Sequence, residues 1–136
     1  SLYCAKGHPL FALADSEISV EQVEGCDFVV RPYANMRELQ YFPKARARAS
    51  ASNMEAQAMF VMSGSYLGYL PDHYAADWVQ KGIFRAVLAK QARIKSPFII
   101  ATRLGEKPST VLDFFIRELA GFASETLHLK SNPKKA

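Results

Sequence analysis

Residues 50–74, SASNMEAQAMFVMSGSYLGYLPDHY, constrain the fold more than any other stretch. They read as strand end, helix, glycine stop, strand and proline turn. Ser52 suits an N-cap, and Glu55 follows at capping-box spacing. Met54, Ala58, Val61 and Met62 recur at helical intervals, while Ala56, Met59 and Phe60 make the other sides apolar too. That pattern predicts a helix buried nearly all round. Gly64 suits the C′ position, residues 66–70 read as a buried strand, and Pro71 ends it. A strand–helix–parallel strand unit exposes a helix N-terminus at the strand ends, where open α/β sheets bind ligands.

The rest of the chain repeats this alternation. Residues 2–5 read as a strand and Lys6-Gly7-His8-Pro9 as a turn. Ser19 and Gln22 form a capping box for a helix closed by Gly25, with Ile18 positioned to staple onto Val23. Residues 27–31 place Phe28, Val29 and Val30 in succession, the mark of a strand covered on both faces. Asn35 is expected to cap a helix over 36–42, stopped by Pro43. Residues 44–50 alternate bases with alanines, as an edge strand with one wet face would. Asp72 is expected to cap a helix ended by Gly82, and a strand should follow over 84–88. A strand over 96–103, a turn over 104–107 and a long helix from Ser109 to about Leu127 complete the order. The fold class is therefore α/β, with a mainly parallel open sheet flanked by helices.

Composition narrows the function. With 136 residues the chain holds one core's worth of sequence. The net charge is +4, yet Lys130, Lys134 and Lys135 in the last seven residues supply three of the bases. Without them fourteen bases face thirteen acids. That near-neutral body is not an electrostatic footprint for nucleic acid. No apolar run approaches the ~18 residues of a membrane span. No charged and apolar leader opens the chain, so a cytoplasmic location is expected. Cys4 and Cys26 lack ligand spacing and read as buried free thiols. Three scattered histidines make no metal site. No phosphate loop, dinucleotide fingerprint or nucleophile elbow is present, and no cofactor is expected. Asp72-His73 places an acid beside an imidazole without a nucleophile.

A binding site remains. Three loops are expected to gather at one sheet edge: 5–7, 31–33 and 50–53. The candidate ligand contacts are Ala5, Lys6, Arg31, Ser50, Ser52, Asn53 and Met54. Their N–H groups, hydroxyls, amide and two cations suit a small anion at a helix N-terminus. Ser52 would cap the helix with or without a ligand, and both readings stand.

The ordered set Leu2-Tyr3-Cys4-Ala5-Lys6-Gly7-His8-Pro9-Leu10, Phe28-Val29-Val30, Ser52-Asn53-Met54-Glu55, then Gly64 with Leu67 to Pro71, resembles the effector-binding domain of LysR-type transcriptional regulators. Residues 96–119 resemble that family's C-terminal end. The resemblance implies one lobe of a type II periplasmic-binding-protein-like fold. Residues 1–94 would form the second regulatory subdomain. Residues 95–128 would supply a return crossover strand and the C-terminal helix of the first, and 129–136 a flexible basic tail. It implies effector contacts at Ala5, Ser52 and Asn53, and DNA binding only through a winged helix-turn-helix outside this fragment. Tyr66 departs from the family, which usually has a glycine there. The apolar face Val111, Phe115, Leu119 and Phe122 would have lost its covering sheet, so a homo-oligomer is expected. A stand-alone solute-binding protein and a small α/β enzyme are the alternatives.

Overall fold

The structure, a computed structural model, describes residues 1–33, 35–96, 99–103 and 109–131, with 35, 36 and 124–131 by backbone only. It divides into two compact units, Ser1–Ser96 and Pro97–Ala136. In the first unit, strands β1 (Leu2–Ala5), β2 (Asp27–Val30), β3 (Arg46–Ser50), β4 (Tyr66–Tyr69) and β5 (Phe84–Ala86) form one sheet in the order β3-β2-β4-β1-β5. Helices α1 (Val20–Glu24), α2 (Asn35–Glu38), α3 (Met54–Met62) and α4 (Asp72–Gln80) connect them.

β2 pairs parallel with both β3 and β4, as a strand–helix–strand reading requires. β1 runs antiparallel to β4 and β5. Four strands thus point one way and β1 points the other, so the open α/β sheet is mixed at one strand. Alternate residues enter two cores, following the two-residue period of a strand. Leu2, Cys4, Phe28, Val30, Leu67 and Tyr69 join Val23 and Phe42 on one face. Tyr3, Ala5, Val29 and Leu70 join Ala58, Val61, Ala75 and Phe84 on the other. The consecutive apolar residues of β1 and β2 are explained by this double cover. Both cysteines are free, Cys4 buried and Cys26 half-buried.

Two glycines make the α3 hairpin with the sheet possible. Gly64 has φ +77°, which the chain needs to leave α3. A Cβ on Gly68 would lie 2.7 Å from Val61 Cγ2 and 2.9 Å from Val29 Cγ1, so α3 and β2 close directly over its backbone. Tyr66 needs no such freedom. It sits in β4 opposite Asp27, and its ring meets Phe60 edge-on at 5.2 Å.

Several expectations change. α3 is not buried nearly all round: Gln57, Ala58 and Val61 face inward, while Met59 is 71% exposed and Met54 and Met62 are exposed too. One side of a helix lying on a sheet faces solvent whatever its residues. Asn35 lies inside α2 rather than ahead of it, and α2 ends at Glu38, short of Phe42. Pro71, not Asp72, takes the N-cap position of α4. β5 is three residues long and ends at Ala86. β3 starts at Arg46, and Arg48 is an extra residue between the Phe28–Ala47 and Val29–Ala49 pairs, so the alternation is broken by a bulge.

The second unit contains α5 (Thr110–Ser131), whose start is capped by Ser109: the Leu112 N–H donates to Ser109 Oγ at 3.3 Å. The strand expected over 96–103 is not one in residues 99–103, which are irregular. A strand needs a ladder partner, and among the described residues none pairs with them. Pro97, Phe98 and the turn expected over 104–107 lie outside the described residues, as does the tail beyond Ser131.

Candidate functional site

The direction of β1 decides which candidate residues can meet. Asp27, Tyr66 and Arg46 mark one end of the sheet, and Val30, Ser50 and Tyr69 the other. β1 pairs Leu2 with Tyr69, so its start lies at the Val30 end and Ala5 at the far end. Arg31, Ser50, Ser52, Asn53 and Met54 are therefore brought to one end. Ala5 and Lys6 are not. Ala5 is 1% exposed, and the Lys6 N–H donates to Ile83 O at 2.8 Å. A Cβ on Gly64 would lie 3.2 Å from Lys6 O, which places this loop by the C-terminus of α3. The expected gathering of three loops assumed a parallel β1; the reversal removes one of them.

At the Val30 end, the Ala51 N–H donates to Val30 O at 3.0 Å and holds the loop after β3 against β2. The chain turns two residues later. Asn53, with φ −134° and ψ 164°, is the N-cap of α3, and its Oδ1 accepts the Ala56 N–H at 2.8 Å. The cap expected at Ser52 thus falls one residue on. Ser52 is left exposed beside the helix start. The N–H groups of Met54 and Glu55 have no acceptor within the helix.

Arg31 is committed to a carboxylate. Its Nε donates to Glu38 Oε1 at 2.7 Å, and its backbone N–H donates to Oε2 at 2.8 Å. Glu38 is 1% exposed. Burial works against the charge of Arg31, and the hydrogen bond and charge of Glu38 outweigh it, so the guanidinium titrates above its usual range. Its face covers the ring of Tyr33 at 5.7 Å. The positive charge read from sequence is largely neutralised in place.

Residues outside the candidate ligand contacts complete this end. Asp72, at the first turn of α4, accepts the Tyr3 hydroxyl at 3.1 Å and pairs with Arg93 at 2.5 Å. Partial burial works against its charge, while the hydrogen bond from Arg93 favours it. Gln57 is fully buried in the second turn of α3. Its Nε2 donates to Val29 O at 3.3 Å, and its Oε1 has no protein partner. A glutamine in the otherwise apolar run after Glu55 was a visible signal; Arg93 carried none.

Among the described residues no group of His, Cys, Asp or Glu could hold a metal ion, and no helix is long and apolar enough to cross a membrane. His8 accepts the Leu10 N–H on Nδ1 at 3.2 Å, a turn role with no nucleophile attached.

An open sheet with a helix N-terminus and polar loops at its strand ends defines a ligand-binding α/β domain. The chain belongs to the LysR substrate binding domain family, whose model matches residues 1–123. It is 39% identical over 120 residues to the HTH-type transcriptional activator BauR of Pseudomonas aeruginosa, a match covering 88% of this chain. The chain spans 39% of that relative's length.

Proposed function

We propose that this chain is the effector-sensing part of a LysR-type regulator and that it takes a small anionic molecule at the Val30 end of the sheet. Ser50, Ser52, Asn53 and Met54 would contact the ligand, with Arg31 beside them, in a cytoplasmic homo-oligomer. DNA would be bound by a helix-turn-helix outside this chain, as in a relative described as an HTH-type activator, and the chain itself would catalyse nothing. The observation that carries the reading is the α3 N-terminus, with Met54 and Glu55 N–H groups unspent inside the helix and Ser52 exposed beside them.

The test is a thermal-shift comparison of short carboxylates with the matching uncharged amides on the intact protein. Carboxylates should raise the midpoint and amides should not. Ser52→Ala should weaken the carboxylate response. Equal responses to acids and amides would remove the anionic reading. An unchanged response in Ser52→Ala would move the ligand away from α3.

A further inference from the structure

Three distant parts of the first unit meet at one carboxylate. Asp72 Oδ1 accepts the Tyr3 hydroxyl at 3.1 Å. Its Oδ2 takes Arg93 Nη2 at 2.5 Å. Ser1 leads into β1 and Tyr3 lies within it; together they are the incoming segment. Arg93 belongs to the segment running out of the unit after Ala92, a residue of the core. The outgoing backbone has two further ties, from the Tyr41 hydroxyl to Arg93 O at 3.2 Å and from Arg37 to Lys95 O. Both come from the α2 side. Among the described residues, Asp72 is the side chain that bonds to the incoming and outgoing segments together.

We propose that Asp72 is a clasp coupling these two segments, so that loosening one loosens the other. An isolated exposed ion pair contributes little. Here two side-chain donors, Tyr3 and Arg93, converge on one carboxylate, and it stands in the first turn of α4, where the positive end of the helix favours its charge. The Tyr3 phenol, pushed up to about 12 by burial and then by Asp72, stays a donor at any ordinary pH. The clasp can also open without disturbing the core. The Arg93 and Asp72 side chains are 58% and 43% exposed, whereas Glu38 beneath Arg31 is sealed. Leu70 lies between: its N–H donates to Ser1 O at 3.1 Å, and the Ser1 nitrogen donates to Leu70 O at 2.9 Å. This pair reports on the incoming side.

The experiment is limited trypsin digestion and amide exchange on the full chain with Asp72→Asn, Arg93→Gln and the double variant. Cutting after Lys95 should speed up about two- to fivefold in each single variant, the range an exposed pair supports. The double variant should go no further, because both changes open one interaction. Exchange at the Leu70 amide should quicken in Arg93→Gln, although the Leu70 N–H bonds to Ser1 O and not to Arg93. Three results would each overturn the clasp: an unchanged Lys95 cut, additive effects in the double variant, or an unmoved Leu70 amide. A rise shared by cuts after Arg48 and Lys81 would also overturn it, since it would mean general loosening.

Discussion

Arg31 and Glu38 grip each other twice, through Arg31 Nε at 2.7 Å and through its backbone N–H at 2.8 Å, with the carboxylate 1% exposed. The side chain of Arg31 closes the pair from the solvent side. Removing it strands a buried charge, which costs more than the pair contributes. Arg31→Met should destabilise the fold by about 3 kcal/mol. Adding Glu38→Leu should recover most of that loss, because no charge is then left buried. Urea unfolding of both variants decides the matter; a double variant as unstable as Arg31→Met would show that the carboxylate was not the cause.

Asn53 and Ser52 should part company in stability. Asn53→Ala removes the Oδ1 that accepts from Ala56 and should cost about 1 kcal/mol. Ser52→Ala should stay within about 0.5 kcal/mol, the usual range for an exposed position away from special features. Thermal or urea midpoints measure both, and a larger loss in Ser52→Ala would return the cap to Ser52.

Gly68→Ala should be unfavourable by about 1–3 kcal/mol, the usual penalty of forcing atoms into a packed core. The added methyl would stand 2.7 Å from Val61 Cγ2 and 2.9 Å from Val29 Cγ1. Pairing it with Val61→Ala should remove the first contact and leave the one with Val29, so Gly68→Ala should lower the urea midpoint less on the Val61→Ala background than in the parent. A midpoint lowered equally on both backgrounds would place the strain elsewhere.

Acid should weaken the fold through His8. Burial lowers its pKa, and its Nδ1 already accepts from Leu10, so the fold prefers the neutral ring. The unfolded chain then binds more protons as pH drops through about 6.5, and stability falls with it. This contribution is full above that pH. His8→Asn, which keeps an acceptor near Leu10, should lose less stability than the parent between about pH 7.5 and 5.5. Parallel losses in the two proteins would assign the acid sensitivity to other groups.

What could be read from sequence was what local chemistry decides. The Ser19–Gln22 box forms in full, with Gln22 N–H to Ser19 Oγ at 3.2 Å and Ser19 N–H to Gln22 Oε1 at 2.7 Å. β1, β2 and β4 lie where apolar runs placed them, because burial on both faces demands such runs. Direction leaves no trace in such a run. The reversal of β1 was therefore not legible, and Ala5 and Lys6 were assigned to the wrong end of the sheet. Ser52 and Asn53 are adjacent cap formers that sequence cannot rank. The choice depends on how far the loop after β3 is held to β2, at the Ala51–Val30 hydrogen bond. Arg93 reaches Asp72 across twenty-one residues, and only the packed fold brings them together.

The bulge at Arg48 bears on how copies of this chain can assemble. Among the described residues β3 is an outer strand with one ladder side open, and an open ladder invites a second strand. Two copies meeting there in antiparallel fashion would set arginines of one against arginines of the other, and like charges directly opposite repel. The extra residue would put the two ladders out of step within a single pair. Continuous sheets built through this edge are thereby disfavoured.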